Sequence, residues 1–158
     1  MKTSKTPSDS AVEMREMVMP HHTNPQNTVF GGTVMSWMDI AAAMVAARHA
    51  NRPVVTVHIS DIDFIAPVKM GHHVHIQASL NYVGKSSMIV GVKVTSENPM
   101  TGERRKTTKA YLTFVALDDL GKPTDVPELK VESPDEVRRF ENAKQRALAK
   151  KKLQQKLR

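Results

Sequence analysis

Residues 31–48, GGTVMSWMDIAAAMVAAR, constrain this chain more than any other stretch. From Thr33 to Ala47 the only charge is Asp39, and its only polar company is Thr33 and Ser36. Val34, Met35, Trp37, Met38, Ile40, Met44, Val45 and the alanines fall on every face of a helix, which is the pattern of a buried one. At 1.5 Å per residue it would be about 27 Å long. It is too short and too rich in alanine for a membrane span, and the sequence after it reads as sheet. Such a helix needs a wrapping around it, and the rest of the chain has to supply one.

Strand-like runs provide it. Residues 11–19 alternate Val12 and Met14 against Glu13 and Arg15, and Pro20 ends the run. Four more runs follow the helix, over 53–65, 74–83, 87–95 and 104–117, broken at 67–71, 84–85 and 98–102. Short connections between successive runs predict an antiparallel meander. One helix and one antiparallel sheet make an α+β fold, with the sheet curling around the helix. The 158 residues suffice for one domain. The expected organisation is a disordered N-terminus at 1–10, the domain at 11–122, a linker at 123–132 and a C-terminal basic helix at 133–158. Ser133, Pro134 and Glu136 form the start signal of that last helix: N-cap, first-turn proline and capping-box acid.

The net charge of +7 invites a nucleic-acid reading, but its distribution argues against one. Residues 138–158 carry nine Lys/Arg and one acid, Glu141. The other 137 residues carry 14 basic and 15 acidic side chains, so the body is near neutral. Without cysteine there is no disulfide, thiolate metal site or cysteine nucleophile. The polar start, MKTSKTPSDS, is not a secretory signal, and the default expectation is a cytoplasmic protein.

Asp39 has Met35, Ser36, Ala42 and Ala43 as helical neighbours, none of them basic. An unpaired carboxylate among apolar side chains is costly. Alone it would be read as a structural aspartate satisfied by tertiary hydrogen bonds. Its surroundings favour a catalytic base. Gly31-Gly32 opens the same helix, where free backbone N–H groups and the positive end of the helix dipole suit a thioester oxyanion. Asn24, in the polar loop before it, can donate to a carbonyl or hold a water, or merely shape a turn before Pro25. Gly31 and Asp39 are eight residues apart, about 12 Å along a helix, so they cannot both touch one carbonyl. If both are catalytic, each site takes Gly31 from one subunit and Asp39 from another, and the protein is an obligate dimer.

Four blocks in order, TNPQNTVFGGTVMSWMDIAAAMVAARHA, VVTVHISDIDFIAPVKMGHHVHI, VGKSSMIV and TKAYLTFVALDDLGKP, resemble the YciA/brain acyl-CoA hydrolase group of hotdog thioesterases, the cytosolic acyl-CoA thioester hydrolases. The resemblance covers about residues 12–123. It implies a hotdog fold, an antiparallel sheet wrapped around a long central helix, in double-hotdog dimers that often form trimers of dimers. It implies hydrolysis of acyl-CoA to free acid and coenzyme A, with no metal and no cofactor beyond the coenzyme A of the substrate. Carried over by position, Asn24 and Asp39 are the catalytic pair, with Asp39 as general base or as nucleophile through a mixed anhydride. His22, Phe30, Gly31 and Gly32 would line the thioester. Gly84, Lys85, Ser86 and Ser87, with Arg104 and Lys106, would hold the phosphates of coenzyme A. One position departs: the family's usual first glycine in the loop is here Asn27, which tolerates a left-handed backbone better than most residues.

Other features carry less. His72, His73 and His75 form a cluster of the kind that binds metal, yet His72 faces away from the other two on a strand. The ten methionines could make a promiscuous surface, but those in the apolar helix favour core filling, and the same helix face can contribute to an acyl pocket. Two alternatives remain: a non-catalytic acyl-CoA-binding sensor, or an adaptor whose basic tail binds nucleic acid or anionic surfaces. Within the fold, a dehydratase would favour His where Asn24 stands.

Overall fold

The structure, a computed structural model, describes residues 4–158. Its centre is the long helix α2, Gly31–Ala50, which ends on Asn51 in the left-handed conformation at φ 53°. Around it lies a five-stranded antiparallel sheet. Taking the elements in chain order, β1 is Ser4–Lys5, α1 is Pro7–Ser10, β2 is Val12–Met17, β3 is Val54–Phe64, β4 is His73–Val83, β5 is Ser87–Glu97, β6 is Arg104–Ala116, β7 is Glu128–Leu129 and α3 is Pro134–Lys156.

The sheet order is β2-β4-β5-β6-β3. The expected meander therefore holds only for β4, β5 and β6. The connection from β3 to β4 is short, yet these strands lie toward opposite sides of the sheet. Other partners draw that connection across: Val29 N–H donates to the Val68 carbonyl (2.7 Å), Gly71 N–H to Val18 (2.8 Å), and Val18 N–H to His72 (2.9 Å). These bonds satisfy a backbone that would otherwise sit unpaired against the helix start.

The core fills the space between α2 and the inner face of the sheet. Val34, Met38, Ala41 and Val45 of α2 meet Ile76, Leu80, Met88, Val90, Leu112 and Phe114. The inner residues of β4, β5 and β6 alternate with polar outer ones, as a half-covered sheet requires. The sheet lies against the long central helix as expected, but the expectation that α2 is buried on every face is corrected here. One sheet covers one side, and Met35, Ile40 and Met44 stay exposed, Ile40 by 51 %. β3 is an edge strand, with Val55, Val57, Phe64 and Ile65 exposed beside it.

Residues 4–10, expected to be disordered, are instead built into the fold; residues 1–3 lie outside the described residues. β1 pairs in parallel with β7, which places a short strand inside the expected linker at 123–132. Pro7 and Ser10 of α1 are buried. The Lys5 ammonium caps the end of α2, donating to the carbonyls of Arg48 (3.0 Å) and His49 (2.8 Å). Arg48 in turn donates to the Ala11 carbonyl (2.7 Å) just past α1. Cations at a helix C-terminus favour its dipole and satisfy its free carbonyls. Composition alone hid these contacts, because each is made by one long side chain.

α3 begins as its sequence signals. Ser133 Oγ accepts from Glu136 N–H (3.1 Å), and the Glu136 carboxylate accepts from Ser133 N–H (3.1 Å). Its first half packs on the outer face of the sheet, burying Ala143 against Ile89 and Tyr111. Leu148, Leu153 and Leu157 of its second half are exposed. Among the described residues no helix is long and apolar enough to cross a membrane.

Candidate active site

The loop before α2 is shaped by Asn24. Its Oδ1 accepts from the N–H of Gln26 (3.0 Å) and Thr28 (3.2 Å) and from the Thr28 hydroxyl (3.1 Å). Three donors on one oxygen fix which end of the carboxamide is which. The Nδ2 amide then has no acceptor among the described residues, and it is a free donor. The turn-shaping oxygen of Asn24 and its free N–H donors are thus different atoms of one carboxamide. Asn27 sits at φ 60°, so it adopts the left-handed turn expected of the glycine it replaces.

Phe30 is the N-cap of α2, and a phenyl ring cannot accept a hydrogen bond. Its carbonyl takes the N–H of Thr33 (2.9 Å) and Val34 (3.3 Å). The N–H groups of Gly31 and Gly32 have no acceptor among the described residues, which leaves two donors open at the positive end of a helix of 20 residues. The Phe30 ring lies over Gly32, where an added Cβ would come 2.8 Å from Cε1. His22 accepts the Met19 N–H on Nδ1 (2.9 Å) and packs edge-on against Trp37 with ring centroids 5.0 Å apart. His22, Asn24, Phe30, Gly31 and Gly32 therefore gather at the N-terminal end of α2.

Asp39 is not among them. It lies further along α2, half-buried on the same uncovered stripe as Met35, Ser36 and Ile40. Its Oδ1 accepts the hydroxyl of Thr56 on β3 (2.7 Å). The expectation of an unpartnered carboxylate is thus corrected: Thr56 holds one oxygen and the other is left over. Thr56 was missed in the sequence. Its signal was a single hydroxyl in the run VVTV, at a position where a strand beside an apolar helix would otherwise carry an aliphatic side chain.

The residues expected to hold coenzyme A divide between two places. Gly84, Lys85, Ser86 and Ser87 form the turn from β4 to β5, with Gly84 N–H donating to Ser87 (2.9 Å). This turn is level with Ala116, and so with the Val54 end of β3, where Thr56 and Asp39 are. Arg104 and Lys106 face Glu97 and Thr95 at the other end of β5, roughly 30 Å away at 3.3 Å per residue. The structure does not bring the two groups together within one subunit, because β5 and β6 run their full length between them. Arg104 is also taken by Glu97, at 2.8 Å. Of the histidine cluster, His75 pairs with Glu13 (3.2 Å), and among the described residues no group of three potential ligands is placed to hold a metal.

A family model for the thioesterase superfamily matches residues 26–103. A Bacillus subtilis protein, named an uncharacterized acyl-CoA thioester hydrolase, is 42% identical over 139 residues, covering 88% of this chain and 81% of that protein. This chain belongs to the thioesterase superfamily. Solved structures agree on its hotdog fold. A hexameric acyl-CoA thioesterase solved without ligand is 37% identical with a TM-score of 0.91, covering 96% of this chain and 97% of that one. An acyl-CoA hydrolase from Staphylococcus aureus, solved with butyryl coenzyme A, coenzyme A and coenzyme A disulfide, is 36% identical with a TM-score of 0.89, covering 97% and 93%. That thioesterase has also been solved with an aspartate, an asparagine and a threonine each replaced by alanine. By their numbering, the asparagine lies 15 residues before the aspartate and the threonine 17 after it.

Proposed function

We propose that this thioesterase hydrolyses acyl-CoA to a free carboxylic acid and coenzyme A in a site shared by two subunits. One observation carries the reading: Asp39 and the free donors of Asn24, Gly31 and Gly32 lie at different stations along one uncovered, otherwise apolar surface. That surface joins the exposed stripe of α2 to the edge strand β3. A long apolar edge strand left open is a pairing template, and a twofold axis would set β3 antiparallel against its copy. Gly31 lies near Phe64, at one end of β3, and Asp39 is bonded to Thr56 near the other. Antiparallel pairing reverses the copy, so the Gly31 end of one subunit comes to the Asp39 end of its partner. The turn at 84–87 is at the Asp39 end, within reach of the same shared site for the phosphates of coenzyme A. The hexamer described for a related thioesterase supports self-association, and a trimer of such dimers is the assembly we favour.

In this site the thioester carbonyl oxygen takes hydrogen bonds from Asn24 Nδ2 and the Gly31 or Gly32 N–H of one subunit. These donors strengthen as the oxygen becomes negative. The partner's Asp39, with Oδ1 fixed by Thr56, uses its other oxygen to take a proton from the attacking water. The carbon–sulfur bond breaks and the coenzyme A thiolate leaves, to be protonated. No group beyond the chain and the substrate enters this scheme. Attack by Asp39 itself, giving a mixed anhydride, uses the same geometry. Label in Asp39 after one turnover in oxygen-18 water supports the anhydride route, because general-base attack by water cannot place it there.

The spacing of the residues replaced in the Staphylococcus aureus thioesterase supports this assignment. Asn24, Asp39 and Thr56 are likewise 15 and 17 residues apart. The test is release of coenzyme A thiol from short-chain acyl-CoA, wild type against Asp39→Ala. We expect kcat to fall by about 10³-fold. Tight acyl-CoA binding without thiol release by the wild type would instead indicate a sensor.

A further inference from the structure

The outer face of the sheet, on the far side from Asp39, carries a second feature. A groove of about 550 Å³ lies between β4–β6 and the first half of α3. That is the size of a small-molecule site. Lys93, Lys106 and Lys109 reach it from the sheet, and Arg138, Arg139 and Arg146 from the helix. The one acid in its lining, Glu13, is already held by His75 (3.2 Å) and Gln77 (3.4 Å). Asp135 and Asp61 offset Arg138 (3.4 Å) and Arg146 (3.7 Å). Lys93, Lys106 and Arg139 have no carboxylate partner among the described residues.

Two details suit a ligand better than a merely solvated face. Lys93 and Lys109 stand directly opposite each other in the β5–β6 ladder. Like charges so placed destabilise a sheet, and an anion between them would reverse the sign. Asn81 is the second. It lies where the β4–β5 register shifts between Leu80 and Tyr82, and such irregularities re-aim side chains. Asn81 is only 5 % exposed, lines the groove, and has no hydrogen-bond partner for its carboxamide among the described residues. Gly91 makes room for it: an added Cβ there would come 2.5 Å from Asn81 Nδ2. The Asn81 carboxamide atoms keep some contact with solvent in the groove, so their donor and acceptor capacity is open to a ligand there. The Tyr111 ring carries the Arg146 guanidinium at 3.7 Å. Burial opposes ionisation of its hydroxyl, yet Lys109 and Arg146 outweigh burial and hold that phenol below its ordinary value.

We propose that this groove binds a compact anion bearing several phosphates. The convergence of cations from two layers on a confined volume favours a small polyphosphate over a nucleic acid strand, which would need a basic track along an open face. The phosphates have two possible sources, a free polyphosphate or the phosphate-rich end of a coenzyme A. The reading does not depend on the catalytic assignment, since the groove and Asp39 are on opposite faces of the sheet.

Calorimetric titration of the full-length protein with sodium tripolyphosphate tests it. Binding is expected at low ionic strength and should weaken with added salt. In Lys93→Gln/Arg139→Gln the affinity should fall at least about tenfold, while the charge-keeping Lys93→Arg/Arg139→Lys retains it. The thermal midpoint of the unliganded Gln variant should equal or exceed that of wild type, because the Lys93–Lys109 repulsion is gone. Repeating the titration with saturating desulfo-coenzyme A assigns the source: competition points to coenzyme A phosphates, independence to a free anion. No binding to wild type, or equal affinity in the Gln variant, overturns the proposal.

Discussion

Thr56 does for Asp39 what no residue of its own helix can. With Oδ1 bonded at 2.7 Å, the carboxylate cannot rotate freely, and its second oxygen faces one direction. Thr56→Val keeps the shape and removes the hydroxyl. We expect kcat to drop by about 10-fold to 100-fold with KM little changed, since substrate contacts stay in place; an unchanged kcat in steady-state assays would remove Thr56 from the mechanism. His49 gives a prediction of a different kind. It is fully buried, and its Nε2 meets the Pro127 carbonyl at 2.7 Å. Burial lowers its pKa, against a smaller opposing effect of the Pro127 carbonyl. The folded state therefore resists protonation that the unfolded chain accepts near pH 6.5. Stability from this site is complete above that pH and is lost as pH falls from there toward the lowered folded value. Thermal midpoints should decline over that window, and His49→Gln should flatten the decline; equal slopes in both proteins would contradict it.

At the scale of elements, β3 carries the argument. Val57 and Phe64 are each 52 % exposed on an edge strand that no other strand covers among the described residues. Val57→Lys places a charge on that edge, a substitution natural edges use to prevent pairing. We expect a monomer by light scattering and activity reduced at least about 100-fold. A dimer of normal activity would show that β3 is not the shared edge. Several elements were legible beforehand because their signals are local. The capping box at Ser133 fixed the start of α3, and the alternation in β4 to β6 fixed which side chains face α2. The place of β3 was not, because it depends on the long-range bonds of residues 65–72 rather than on any pattern within the strand. The stripe of Met35, Ile40 and Met44 read as core because an apolar helix face has the same composition whether its own sheet or, as we propose, another subunit covers it. Asp39 stood out as the only charge in an apolar helix, and Asn24 through the resemblance carried by its loop. Thr56 did not, since a threonine in a strand is ordinary, and Lys85 and Arg104 fell into one group because sequence does not show how far apart a turn and a strand end lie.

At the scale of the whole molecule, the proposed reading is that each chain supplies two half-sites rather than one site. Each chain builds a donor station at the start of α2 and a carboxylate station at Asp39, and a single helix keeps them about 12 Å apart. On the proposed reading, dimerisation is a catalytic requirement as well as a way to cover apolar surface. The most direct measurement mixes two inactive parents, Asn24→Ala and Asp39→Ala, by refolding them together and assaying thiol release. A hybrid dimer has one site with both defects and one with neither. With random pairing, half of the dimers are hybrids with one intact site each, so about one quarter of wild-type activity should return. If mass spectrometry shows that hybrids have formed and activity stays at the level of the parents, the shared site is contradicted.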